Sequence, residues 1–396
     1  MTTTINNEHK KLNVPNLRFP EFQGEWEKKS LGEIGDSFIG LTYRPADVVS
    51  EGGLIVFRSS NIQNGCMDYK DIVRVNKNVK EKLITKKDDL LVCARNGSAR
   101  LIGKNAILHE TDANQTFGAF MMVFRSDKNH FVHQLLNTRR YSSQVSENLG
   151  ARINQITSSD LSSFEFFFPK GNNEMNKISA LLDLLDERIA TQNKIIEDLK
   201  KLKSAIIEKL YSEIQGKEYS YRQLFEIINE RNNRLEFSNV LSASQERGMV
   251  SREDLNLDIK FERSNINTYK IVRNGDYVIH LRSFQGGFAF SDIVGVCSPA
   301  YTIMRPKDLL EYGYLSYYFT SRQFIKSLVI VTYGIRDGRS INVDEWFDMK
   351  IVIPTKEQQL HIVRTIKVFE NKIENEEIYA SCLLKQKQHL LRQMFI

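Results

Sequence analysis

The chain has 396 residues, 41% of them apolar and 26% charged, with a formal net charge of +6. That length can hold two cores, the charge balance is too even for a polycationic coat on nucleic acid, and no apolar run reaches the roughly 20 residues needed to cross a bilayer. Four cysteines (Cys66, Cys93, Cys297, Cys382) lie scattered without paired spacing, as expected of reduced thiols in a cytoplasmic protein.

MTTTINNEHKKLNVPN has no apolar centre and so is no secretory signal; residues 1–15 read as a flexible leader. A first block, residues 16–170, mixes short strands and helices. It contains a short amphipathic helix at WEKKSLGEI (26–34), buried strands at DLLVCARNG (89–97) and GAFMMVFR (118–125), and a closing strand FEFFFP (164–169) punctuated by proline. Residues 171–218 form a long helix. A second block, 219–354, echoes the first. YSYRQLFEI (219–227) resembles 26–34 through Leu31/Leu224, Glu33/Glu226 and Ile34/Ile227, while DYVIHLRSF (276–284) resembles 89–97. SPAYTIMR (298–305) parallels 118–125, GIR (334–336) parallels GAR (150–152), and MKIVIP (349–354) closes the block. Residues 355–396 supply a second long helix.

The two helices carry one pattern twice. Alternating steps of four and three run Ile178, Leu182, Leu185, Ile189, Gln192, Ile196, Leu199, Lys203, Ile206, Leu210, which is a heptad seam. Adding 184 to each number gives Ile362, Ile366, Phe369, Ile373, Glu376, Ala380, Leu383, Lys387, Leu390, Met394. The two polar interruptions fall at the same two places. A long single-seam helix must bury that seam against a partner, and the matching seam is the other copy. The expected fold is therefore α/β: two similar α/β domains separated by two long helices that form an antiparallel coiled coil, related by a pseudo-two-fold internal repeat.

Catalytic motifs are missing. The seven prolines include no adjacent pair, which removes the Pro-Pro loop of DNA amino-methylating enzymes. GSARLIGKN (97–105) has five residues between its glycines and Asn105 where Ser or Thr would bind magnesium, so it reads as a turn between strands rather than a phosphate loop. His130 and His133 lack further ligands at metal-site spacing. Glu27 and Lys29 make a nuclease-like triplet without its Pro-Asp partner. No catalytic, cofactor-binding or metal-binding residue is assigned.

Polar segments gather instead where strands end. TYR (42–44), SSNIQNG (59–65), ARNGSAR (94–100), LGARINQIT (149–157), LRSFQGG (281–287) and YGIRDGRSIN (333–342) combine Arg, Asn, Gln and Ser with glycine. Arginine bridges the two major-groove acceptors of guanine, and Asn or Gln does the same for adenine. The candidate base-reading residues are Tyr43, Arg44, Asn61, Arg95, Asn96, Ser98, Arg100 and Arg152 in the first block, and Arg282, Ser283, Gln285, Arg336 and Arg339 in the second. A coiled-coil scaffold that organises proteins without reading bases is the alternative.

NVPNLRFPEFQGEWEKKSLGEI, the two α/β blocks and the doubled proline-then-helix segment together resemble the specificity subunit of a type I restriction–modification enzyme. The resemblance implies two target-recognition domains, each reading one half of a bipartite double-stranded DNA site. It implies that the long helices set the spacing and dock two methylation subunits, which use S-adenosylmethionine. Restriction subunits using ATP and magnesium would join them. The chain itself would hold no cofactor, perform no catalysis and have no membrane role.

Overall fold

The computed structural model describes residues 12–151, 154–244, 247–255, 263–280, 287–333 and 340–396. Two units emerge, one of Met1–Lys194 with Ile378–Ile396 and one of Ile195–Glu377. Each unit holds one α/β block and a part of both long helices.

The first unit contains strands β1 (Glu27–Ser30), β2 (Asp36–Ile39), β3 (Val48–Val49), β4 (Leu54–Phe57), β5 (Ile62–Gln63), β6 (Cys66–Met67), β7 (Arg74–Val75), β8 (Leu90–Cys93), β9 (Asn105–Ile107), β10 (Thr116–Phe117), β11 (Met121–Arg125) and β12 (Glu165–Phe168). Helices α1 (Asn129–Leu135), α2 (Arg139–Ala151) and α3 (Ser158–Ser163) lead to the long α4 (Asn172–Ser212). The central sheet runs β2-β11-β8-β9, and a second sheet runs β10-β4-β7-β3. β8, LLVC, is apolar throughout because both faces of the central sheet are covered. Leu91, Cys93, Met121 and Val123 face a core shared with Phe57 and Phe117. Leu90, Val92, Met122 and Phe124 face another, built with α1, α3 and the long helices.

The second unit contains β13 (Lys217–Ser220), β14 (Phe225–Ile228), β15 (Leu241–Ser244), β16 (Gly248–Ser251), β17 (Lys270–Val272), β18 (Tyr277–Ile279), β19 (Phe288–Phe290), β20 (Gly295–Cys297), β21 (Thr302–Pro306), β22 (Thr332–Tyr333), β23 (Ser340–Ile341) and β24 (Lys350–Ile353). Its helices are α5 (Tyr221–Leu224), α6 (Tyr314–Tyr318), α7 (Arg322–Ser327), α8 (Val343–Asp348) and the long α9 (Lys356–Met394). The sheet β14-β21-β18-β19 reproduces the order β2-β11-β8-β9, and the pair β13-β24 reproduces β1-β12.

One buried ion pair is duplicated with the sheet. Asp89, 2% exposed, takes Arg125 Nε and Nη2 at 2.7 and 2.6 Å and the Lys86 N–H at 2.8 Å. Asp276, 1% exposed, takes Arg305 Nε and Nη2 at 2.9 and 3.0 Å and the Arg273 N–H at 2.9 Å. Each locks the entry of its central strand onto the neighbouring strand. These contacts carry the sequence echoes 89–97/276–284 and 118–125/298–305 into the structure.

Within the first unit the helices run antiparallel. Ile178 and Leu182 share a core with Leu391 and Met394, Asp186 pairs with Lys387, and Leu185 and Ile189 meet Leu383. The same sense holds inside the second unit, where Lys200 pairs with Glu377 at 2.6 Å and Lys203 with Glu370 at 3.3 Å. Ile207 and Tyr211 there share a core with Ile362 and Ile366. Both seam lysines thus meet a carboxylate from the partner helix.

Several expectations need correction. Residues 26–34 and 219–227 are not continuous amphipathic helices: β1 runs into a single 3-10 turn at Leu31–Glu33, and β13 into the one-turn α5 and then β14, because the polar β1 and β13 are recruited by the apolar β12 and β24. The true equivalence of these segments is slipped by about one helical turn. Glu33 Oε2 accepts the Ser30 N–H at 2.7 Å and Gln223 Oε1 accepts the Ser220 N–H at 2.8 Å, so Glu33 matches Gln223 rather than Glu226. Residues 13 and 15 are not part of a flexible leader: the Trp26 N–H donates to Asn13 O at 2.8 Å and Pro15 is buried. Along α4, Leu199, Ile206 and Leu210 are only half-buried, and Ile207 and Tyr211 take the buried places. A straight helix drifts about 20° per heptad against a strict seven-residue repeat, so the seam moves over by one residue. Phe369 and Leu390 are half-buried as well, and Leu391 joins the core beside Met394. The GAR/GIR echo falls largely on residues outside the described set.

The histidines are structural. His133 is buried, with Nδ1 3.0 Å from Asn105 Oδ1; burial foremost, then the Lys387 ammonium, lowers its pKa to about 4. His130 of α1 lies 2.6 Å from Asp183 of α4 and 3.3 Å from Asp88. Its pKa is raised, first by the hydrogen bond to Asp183. Among the described residues no cluster of three or more His, Cys, Asp or Glu could hold a metal ion.

Two predictions follow from these contacts. Asp89→Ala strands the Arg125 guanidinium and should cost about 3 kcal/mol. Urea unfolding followed by Trp26 fluorescence in a Trp346→Phe background reads the first block alone. A folded pKa above the unfolded value means that His130 adds stability in full below about pH 6.5 and loses it as pH rises through the folded pKa. His130→Asn should therefore lower the melting temperature more at about pH 5.5 than at about pH 8.5.

Candidate nucleic-acid interface

In the first unit, strand ends and loops are tied into one surface. The Gly40 N–H after β2 donates to Met121 O at 3.0 Å, and the Leu41 N–H to Phe117 O at 2.7 Å. After β10, the Gly118 N–H donates to Phe57 O at 2.9 Å. A Cβ at Gly40 would meet Gly118 O at 2.2 Å, so this approach requires glycine. After β8, the N–H groups of Ala94 and Arg95 both donate to Phe120 O, at 2.9 and 3.0 Å. Beyond α2, the Ile156 N–H returns to Ala94 O at 2.8 Å, and Arg95 bridges Gln155. Segments 40–44, 58–61, 94–101, 118–120 and 154–156 are thereby drawn together through backbone bonds.

Side chains complete the surface. Asn96 Nδ2 donates to Ser59 Oγ at 3.0 Å, and Lys104 Nζ to Ser59 O at 3.3 Å. Asn154, at φ 51°, donates to Gly97 O at 3.2 Å. Arg95, Ser98 and Arg100 are exposed, and the Arg95 guanidinium lies over the Phe120 ring, 5.3 Å from its centroid. On the adjoining segment Tyr43 is half-buried and Arg44 exposed, with the Arg44 N–H donating to Asp47 at 2.8 Å.

Arg95, Ser98 and Arg100 lie exposed on one loop anchored at Phe120, and Tyr43 and Arg44 follow Gly40 and Leu41, which are anchored at Met121 and Phe117. Asn61 does not belong with them. It is 1% exposed, donates to Asp68 O and Asp71 O at 3.0 and 2.9 Å, and accepts the Arg58 N–H at 2.9 Å, so its amide is spent inside the loop. Asn96 is half-buried, and its Oδ1 accepts the Ser98 N–H at 3.0 Å; it positions the loop and cannot offer both amide atoms to an adenine. Arg152, Arg282, Ser283, Gln285, Arg336 and Arg339 lie outside the described residues. The sequence reading missed Phe120, Ser59, Lys104 and Asn154. Ser59 and Asn154 stood in stretches flagged for composition, whereas Phe120 was hidden by the apolar strand that follows it.

Residues 23–201 match the family described as the type I restriction modification DNA specificity domain. The specificity subunit of the EcoKI type I restriction enzyme of Escherichia coli (strain K12) is 23% identical over 90% of this chain and 82% of its own length. Residues 23–201 thus carry a type I restriction modification DNA specificity domain. The specificity subunit of the StySPI enzyme of Salmonella potsdam is 27% identical over 46% of this chain and 42% of its own. A crystal structure of the type I S subunit from M. genitalium shares the fold, with a TM-score of 0.56 at 15% identity over 97% of this chain and 99% of that one. A second solved structure, from work on complex assembly in a type I system, gives 0.54 at 13% identity over 92% and 96%. The family match stops at residue 201, but the repeated sheet order carries the same scaffold into residues 219–354. Among the described residues no helix is long and apolar enough to cross a membrane.

Asn61 and Arg95 should differ in their effect on base choice. Asn61→Ala should lower stability by about 1–3 kcal/mol through unpaired loop groups while leaving sequence preference intact. Arg95→Ala should leave the melting temperature unchanged and reduce discrimination at one base pair by about 1–3 kcal/mol. Thermal melts beside competition binding with permuted duplexes separate the two outcomes.

Proposed function

We propose that this specificity subunit reads a bipartite DNA site, with block 16–170 taking one half and block 219–354 the other. The helical segments set the spacing and dock two methylation subunits. One observation carries the reading: a duplicated scaffold, with equal sheet order and equal Asp–Arg clamps, stands behind loops of different sequence. Constant frame and differing loops suit two readers of two short sequences. No feature favours a scaffold that ignores bases.

Docking has its own support. Leu184 is 65% exposed on α4 and Val368 66% on α9, and Leu181, Ile195, Leu202, Ile378 and Leu384 are exposed along the same helices. Apolar side chains at these spacings, outside the buried seam, suit coverage by partner helices. In this reading the chain is non-catalytic alone. The methylation subunits bring S-adenosylmethionine and transfer the methyl group, and restriction subunits bring ATP and magnesium.

Methylome sequencing of a host expressing the chain with its methylation subunit should return one split motif. Transferring residues 16–170 to a related subunit should move one half of that motif unchanged. Arg282→Ala should relax the other half by about 1–3 kcal/mol at one position. A motif blended across both halves in the hybrid contradicts the modular reading.

A further inference from the structure

Phe120 stands apart from the buried strand it introduces. Its ring is 58% exposed, while Met121 to Phe124, which follow it, are all 0% exposed. The residue is nonetheless held firmly. Its carbonyl accepts two N–H groups from the β8 loop, and the Met121 N–H closes a turn onto Gly118 O at 2.8 Å. A large apolar ring fixed in water gains free energy only when something covers it, on the order of 25 cal/mol per Å². The Arg95 guanidinium already lies over the ring, which restrains the fork without consuming its donors. With that cation over the ring, Phe120 cannot slide between two base pairs without expelling it, which argues against an intercalating wedge. The free rim of the ring beside a restrained guanidinium matches a particular pattern in the major groove. Guanine presents two acceptors for the fork, and a thymine at the next step presents its C5 methyl.

We propose that Arg95 and Phe120 form one reading unit, in which Arg95 takes a guanine and Phe120 covers the methyl group of a thymine at the adjacent base step. The proposal rests on the DNA-reading function and adds to it a specificity-determining residue with a stated base. The test uses the chain assembled with its methylation subunits and duplexes carrying the motif found in the methylome. Each thymine of the half-site is replaced in turn by deoxyuridine, which lacks only the methyl. One replacement should weaken wild-type binding by about fourfold, the worth of one buried methyl-sized group. Phe120→Ala should bind that duplex and the unmodified one equally, with an unchanged melting curve, and Phe120→Leu should keep part of the difference. 7-Deazaguanine at the adjacent position should weaken the wild type and leave Arg95→Ala unaffected. If methyl removal has no effect anywhere in the half-site, or an equal effect in Phe120→Ala, the unit is refuted while sequence preference stands. Loss of all preference for the motif in the wild-type complex would instead overturn the functional reading beneath it.

Discussion

A helix of 41 residues with one apolar seam persists only while that seam is covered. In each unit the covering comes from the other long helix and from the α/β block, so helix pairing and block folding are one problem. In the first unit the seam residues Ile178 and Leu182 lie in the same core as Trp26, Phe131 and Phe166. In the second, Ile207 and Ile366 lie with Trp346 and Phe319. Neither block could lose its helical layer without exposing one face of its central sheet.

The covered sheet frees the loops from structural duty. Both faces of β8 and β18 are occupied, and their entry is clamped by Asp89 and Asp276. Loops beyond the strands can then change in sequence without changing the frame, as proteins that carry recognition on loops require. Some loop residues still serve the frame. Asn61 holds its segment through hydrogen bonds within the loop, Asn96 ties its loop to Ser59, and the exposed Arg95, Ser98 and Arg100 are left to face outward.

The repeat was legible because the seam has long-range periodicity, and the strand echoes were legible because Asp89/Asp276 and Arg125/Arg305 recur with them. Reading failed where the signal was short. The Leu-x-Glu-Ile echo pulls the alignment one turn out of register, since the segments that are equivalent in the structure, LGEI and YRQL, share no residue. By sequence alone β1 and β13 read as helix because their polar residues show no strand alternation; pairing with β12 and β24 overrides local preference. The candidate site was legible as composition only. Arginines and asparagines are visible by type, but whether an amide faces outward or ties loops together depends on groups distant in sequence, as with Asn96 and Ser59.

Local pattern thus determined the doubled architecture, the two long helices, the polar defects at Lys203 and Lys387, and the family that the chain resembles. All of these are periodic or repeated, and periodicity survives without coordinates. The tertiary structure decided the carboxylates that meet the seam lysines, the shift from Ile206 to Ile207, and the convergence of five segments on one surface. It also placed Phe120 outside a strand whose residues are otherwise buried. Those outcomes depend on which groups meet across long stretches of chain, and no window of sequence contains both partners.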